Sequence, residues 1–417
     1  MKLTVNNCPF LRIAHVLKGK KKNCGTRRIY LDHGATTPLQ DKVKEAMLPY
    51  LGKQYGNPSS FYKQGVEAKQ AIDAVREKVG EILNVHANEV LFTSGGTESD
   101  NLALLGFARA NQKKGRHIIT TAIEHHAVLG PAKQLEKEGF EITYLEPSEG
   151  GFVSTEQVKQ ALREDTILVS VIYANNEIGT IQPIAEIGNV VQKFRQKNEK
   201  DFPVMHTDAC QATSYLPLDH KVLHVDMMTI NGSKMYGPKG VGVLTVRRGL
   251  RIEPLVFGGS QERGRRAGTE NVAGIVGLGK ALELSQKKQH TEGVRQQVLR
   301  DCLVKEIFET IPHTVLNGAR ENRLPNNANI SFLGIEGEAV LLYLDHAGVA
   351  VSTGSACSSQ SLNPSHVITA LGYNHERAHS SIRFTLGKST TKKEIDYVLQ
   401  VLPEIVEKLR SLSPITH

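Results

Sequence analysis

From about residue 30, stretches with an apolar residue every three or four positions alternate with short continuous apolar runs, the pattern of helices and buried strands in turn. In "AIDAVREKVGEIL", Val75, Val79 and Ile82 share one face and charged residues take the other, predicting an amphipathic helix. "EVLFTSGGTESDNLALLGFA" passes from a strand through glycines into a helix, and "HIITTAIEH", "TILVSVIYANNE", "PVMHTDACQ", "DMMTINGSK" and "GVGVLTV" predict five further strands. No fixed-period repeat or low-complexity linker interrupts them. This alternation predicts an α/β fold with a large, mainly parallel sheet. Ligands of such sheets gather at the carboxyl ends of the strands, so the polar residues that end several runs are expected to face one crevice.

After about residue 288 the texture changes to a long polar helix, "KKQHTEGVRQQVLRDCLVKEIFETI", followed by strand-like "NNANISFLG" and then "VSTGSACSSQSLNPSHV", which ends in a helix start. The expected organisation is a disordered basic extension over 1–28, a large domain over 45–288, and a smaller α+β domain from 29–44 with 289–417. No Pro/Gly linker marks the boundary.

Charge and cysteine content narrow the function classes. The net charge of +8 sits at one end: residues 1–28 hold eight lysines and arginines and no acid, leaving 43 basic and 43 acidic residues in the rest. The arm reads as an inert tail, with an organelle-targeting peptide or a nucleic-acid contact as alternatives. No apolar run approaches the roughly 20 residues that span a bilayer. The five cysteines, at 8, 24, 210, 302 and 357, are scattered without paired metal spacing, which argues against a disulfide framework or a metal site and for a reducing compartment, the cytoplasm. The mitochondrial matrix is the alternative if the arm is a transit peptide.

Several motifs carry candidate chemistry. In "TSGGTES" the backbone N–H groups of Gly96 and Thr97 open a helix and suit a phosphate, although a glycine turn capped by Ser94 or Thr97 accounts for the same residues. Lys234, after a strand and before a glycine-rich turn, is suited to a Schiff base, with Asn231 and Ser233 placed to bond an anion; most lysines are surface charges. Asp208 and Gln211 lie just past a strand, where an acid would pair with the pyridine nitrogen of pyridoxal phosphate or simply cap a helix. His125 ends a strand and could stack on a flat cofactor, shuttle protons or be half buried without a role.

The blocks "YLDHGATTPL", "YGNPSS", "FTSGGTESDNLA", "NNEIGTIQPI", "HTDACQ", "KMYGPKGVGVL", "GGSQERGRRAGTENV", "GSACSS" and "SSIRFTLGKSTT", in this order from residue 29 to about 410, resemble the group I cysteine desulfurases of the class-V aminotransferase-like family. The resemblance implies the pyridoxal-phosphate-dependent transferase fold of the aspartate aminotransferase type and conversion of L-cysteine to L-alanine. It implies that Lys234 holds the cofactor covalently, His125 stacks on its ring and moves protons, Asp208 binds its nitrogen and Gln211 its ring oxygen. Gly96, Thr97, Ser233 and Asn231 would surround the phosphate, and Thr269 would serve the partner subunit of a homodimer. Asn176 and Arg383 would hold the substrate carboxylate, and Arg383 read alone is a surface ion pair. Cys357, in a flexible Ser/Gly stretch from Thr353 to Asn363, would swing out to carry sulfur as a persulfide to an acceptor protein such as an iron–sulfur scaffold, with Cys357 itself a candidate cluster contact.

Family members often have histidine at Ser233, serine at Asn231 and histidine at Tyr62, and the ending "KLRSLSPITH" lacks paired terminal histidines. Loss of a potential positive charge at Ser233 bears on cofactor affinity more than on reaction type. Selenocysteine lyase is the alternative within the fold; a non-catalytic scaffold is the alternative of another class, opposed by the presence of Lys234, Asp208, Cys357 and Arg383 together.

Overall fold

The computed structural model describes residues 28–354 and 364–413, so the basic arm and Cys357 lie outside the described residues. Twelve strands occur among them: β1 (Ile29–Tyr30), β2 (Val90–Thr93), β3 (His117–Thr121), β4 (Glu141–Leu145), β5 (Thr166–Ser170), β6 (Val204–Asp208), β7 (Met227–Asn231), β8 (Gly242–Val246), β9 (Thr314–Leu316), β10 (Asn327–Phe332), β11 (Val349–Ala350) and β12 (Ser381–Thr385). Seven form one sheet in the order β2-β8-β7-β6-β5-β3-β4. All neighbours run parallel except β8, which is antiparallel to both β2 and β7.

Both faces of this sheet are covered, which is why its central strands read as unbroken apolar runs. Alternate residues serve opposite faces. Val90, Phe92, Ile119 and Val243 join one apolar cluster, and Leu91, Ile118 and Leu244 join another. The six predicted strands are all present. β4 was not predicted: its "EITYL" has an exposed glutamate and three half-buried residues, so it lacks the apolar run of its neighbours.

A third cluster is built on the antiparallel sheet β12-β10-β9, the short parallel pair β1-β11 and the helix Lys392–Leu412. One helix, Val272–Thr310, joins it to the rest. Its first half packs Ile275, Leu278 and Leu282 into the sheet's core; its second packs Leu299, Leu303 and Ile307 into the third cluster. The helix runs unbroken past residue 288, so the change of texture there marks its passage from one core to the other. No helix among the described residues is long and apolar enough to cross a membrane.

Candidate functional site

Because β2, β3, β5, β6 and β7 point the same way, their carboxyl ends deliver polar side chains to one edge of the sheet. There a cleft is lined by Gly34, Ala35, Gly96, Thr97, Asp100, His125, Ile172, Asn176, Asp208, Cys210, Gln211, Asn231, Ser233, Lys234 and Arg383. Of the expected site residues, Gly96, Thr97, His125, Asn176, Asp208, Gln211, Asn231, Ser233, Lys234 and Arg383 are brought together. Thr269 is exposed and lies outside this cleft, and Cys357 falls outside the described residues.

Gly95, at φ +155°, turns the chain from β2 into the helix that opens at Gly96, and it offers that helix no side-chain cap. A Cβ at Gly96 would meet Cys210 Sγ at 2.8 Å, so only glycine leaves the floor of the cleft clear. From the end of β7, Asn231 Oδ1 accepts from the Ser233 N–H at 3.2 Å and fixes the single turn that presents Lys234. Lys234 Nζ donates to the carbonyls of Gly34 at 2.7 Å and Ala35 at 2.6 Å, while Gln211 Nε2 donates to the same Gly34 oxygen at 2.9 Å.

Asp208 ends β6, is 5% exposed, and accepts the Cys210 N–H at Oδ1. It thus makes the local turn that capping predicts while also facing the cleft. His125 heads the helix His126–Lys137, and its Nδ1 accepts the Ala127 N–H at 3.1 Å, which leaves the ring proton on Nε2. Burial pushes the His125 pKa down, with Lys234 adding to the effect against Asp208. The imidazole is therefore favoured in its neutral form.

In and near the cleft lie two carboxyl groups, Asp100 and Glu124, that motif reading did not single out. Asp100 is fully buried, and burial together with the nearby Asp208 raises its pKa. Glu124 accepts the Ile172 N–H and the Thr121 hydroxyl, each at 2.8 Å, and burial raises its carboxyl to about 8. Arg383 is 1% exposed, which rules out a surface ion pair. Its Nη1 donates to the Asn176 carbonyl at 2.9 Å and its Nη2 to Asp32 at 2.8 Å, while its buried Nε has no hydrogen-bond partner among the described residues. Gly34 and Ala35 sit in the "YLDHGATTPL" block, whose part in the site only long-range folding reveals.

This donor set fits pyridoxal phosphate. A helix opening without a side-chain cap at Gly96 suits a phosphate, and Asp208 and Lys234 line the same cleft. Among the described residues no cluster of histidine, cysteine and carboxylate groups could hold a metal ion.

The Aminotransferase class-V family profile matches residues 29–398. The chain is 52% identical over 388 residues to cysteine desulfurase IscS of Dictyoglomus turgidum, covering 93% of this chain and 97% of that one. A solved NifS-like protein superposes with a TM-score of 0.85 at 37% identity, covering 92% of this chain and all of that one. The structure of SspA in complex with cysteine superposes with a TM-score of 0.74 at 35% identity, covering 86% of this chain and 98% of that one.

Proposed function

The chain belongs to the class-V aminotransferases, and from that premise we propose that it takes sulfur from L-cysteine, releases L-alanine and hands the sulfur through Cys357 to an acceptor protein. The cofactor is pyridoxal 5′-phosphate, and the enzyme is a cysteine desulfurase. The observation that carries this reading is the convergence of Lys234, Asp208, His125 and Arg383, from separate elements, on one cleft beside the Gly96 helix opening.

When bound, pyridoxal phosphate supplies an electron sink for the charge left at the substrate Cα. Asp208 would pair with its ring nitrogen, His125 would lie against its ring, and Gly96, Thr97 and Ser233 would hold its phosphate. Lys234 would hold it covalently, and the Lys234 amine would move the substrate Cα proton. Arg383, which lines the cleft and gives only two of its five N–H donors to Asn176 and Asp32, would fix the substrate carboxylate. His125, neutral with its proton on Nε2, is set to donate at the substrate sulfur or carbon. Cys357 as thiolate attacks the substrate sulfur: a sulfur–sulfur bond forms and the carbon–sulfur bond breaks. The bonding pair stays with the carbon skeleton, which is protonated and leaves as alanine.

A homodimer completes the reading. Phe61, Tyr62 and Phe257 are 99%, 60% and 82% exposed, aromatic surface that a partner subunit would cover, and Thr269 is exposed and outside its own chain's cleft. Sedimentation of the holoprotein tests the dimer. Mass spectrometry tests the sulfur route: L-cysteine should leave one extra sulfur on the peptide containing Cys357, removable by reductant, and its absence while alanine forms would overturn the route.

A further inference from the structure

Asn176 and Glu177 are consecutive residues that face different tasks. Asn176 lines the cleft and takes the Arg383 hydrogen bond on its carbonyl. Glu177 is 1% exposed, and its Oε2 accepts the Ser365 hydroxyl at 2.5 Å. A Cβ built on Gly354, which stands at φ +57°, would lie 3.1 Å from that same oxygen and 3.6 Å from Ser365 Cβ. Gly354 and Ser365 flank, in sequence, the stretch that contains Cys357. One carboxylate oxygen therefore bonds Ser365 at one end of it and lies where a side chain on Gly354, at the other end, would reach.

Glu177 is itself held firmly. Its N–H donates to Asn175 Oδ1 at 2.9 Å, and its carbonyl accepts from Asn327 Nδ2 at 3.1 Å and Asn329 Nδ2 at 3.2 Å. The chain approaching Gly354 is tied to the substrate site as well: Arg383 N–H donates to the Ser352 carbonyl at 2.7 Å and the Ser352 N–H to the Arg383 carbonyl at 3.2 Å. The residues that hold the substrate carboxylate and those that anchor the thiol-bearing stretch thus share one short piece of backbone.

We propose that Glu177 is a positioning residue for sulfur transfer, its carboxylate anchoring the Ser365 end of the Cys357-bearing stretch next to Asn176, whose carbonyl Arg383 bonds. The inference rests on the reading of Cys357 as the sulfur carrier. The effective concentration of a tethered group depends on where its tether is anchored, so releasing one anchor lowers the frequency with which the thiol meets the substrate sulfur.

The test compares holoenzyme carrying Glu177→Ala, Glu177→Gln or Ser365→Asp with the parent and with Cys357→Ser. Two quantities are read: steady-state alanine formation, and the rate at which iodoacetamide labels Cys357 without L-cysteine, followed by peptide mass spectrometry. Glu177→Ala should lower kcat roughly 10- to 100-fold, with KM and the cofactor absorbance unchanged and the labelling rate altered. Glu177→Gln, still able to accept the Ser365 hydroxyl, should restore most of the rate. Ser365→Asp keeps an acceptor for the Ile368 N–H that Ser365 now caps but sets a second carboxylate against Glu177, so it should reproduce the alanine variant even if Glu177→Ala fails to fold.

Parental kcat and labelling in Ser365→Asp, or kcat, KM and cofactor absorbance collapsing together in every variant, would overturn the proposal. If Cys357→Ser is inactive and the Glu177 and Ser365 variants behave as parent, the positioning role alone falls. If Cys357→Ser turns over like parent, the sulfur-carrier reading falls and takes the positioning role with it.

Discussion

Lys234, at the end of β7, donates from Nζ to the carbonyl of Gly34 at 2.7 Å, so the site's one cleft-lining lysine is held by backbone from the start of the described chain. The bond holds the amine in the cleft that Asp208 and Gly96 also line.

Lys234→Ala should abolish covalent capture of the cofactor: borohydride treatment of the parent should fix pyridoxal phosphate to the peptide containing Lys234, and the variant should yield no such adduct. Alanine formation should be lost with it. Retention of turnover would mean another amine serves.

Arg383→Ala should raise KM for L-cysteine about 10- to 100-fold, the worth of one or two charge-assisted hydrogen bonds, while leaving cofactor absorbance in place. Steady-state kinetics over a wide L-cysteine range check it. Loss of the ion pair with half-buried Asp32 predicts some loss of stability too, so thermal unfolding should be measured beside the kinetics.

Gly96→Ala should weaken cofactor retention. Its Cβ would sit 2.8 Å from Cys210 Sγ, and overpacking of this kind costs about 1–3 kcal/mol. Equilibrium dialysis against free pyridoxal phosphate should show a dissociation constant raised roughly tenfold or more. Gly96→Ala with Cys210→Ala, which removes the clash, should recover part of the loss.

The site was legible in the sequence to the extent that each residue ends a strand or opens a helix. Apolar runs fix the strands, and the polar residue after a run falls at the sheet's edge by geometry, which is how Asp208, His125 and Lys234 could be picked out. Three features were not legible, each because it depends on contacts distant in sequence. Gly34 reaches Lys234 only after β1 pairs with β11 and the β1 end meets β12. Arg383 lies in a buried strand and bonds Asn176 and Asp32, both distant in sequence, so in isolation it resembles any surface arginine. β8 runs against its neighbours, and an apolar run carries no sign of direction.

Glu124 gives the enzyme a pH dependence of known sign. Its folded pKa of about 8 lies above the ordinary carboxyl value, so the folded state keeps a proton that the unfolded chain releases, and stability falls as pH rises from about 4.5 through 8. Glu124→Gln mimics the protonated form and should lack this loss, gaining on the parent by a few kcal/mol between those limits. His206 acts in the opposite sense. Burial lowers it to about 3, so stability falls as pH drops from about 6.5 toward that value in parent and variant alike. Urea unfolding of both proteins across pH 5 to 8.5 separates the two, and parallel profiles would contradict the assignment to Glu124.

The proposed sulfur route runs through Cys357. The direct measurement is L-alanine formation from L-cysteine, with reductant and saturating pyridoxal phosphate, by the parent and by Cys357→Ser. Alanine from the parent alone is the predicted result; alanine at the parental rate from the serine variant would contradict the claim.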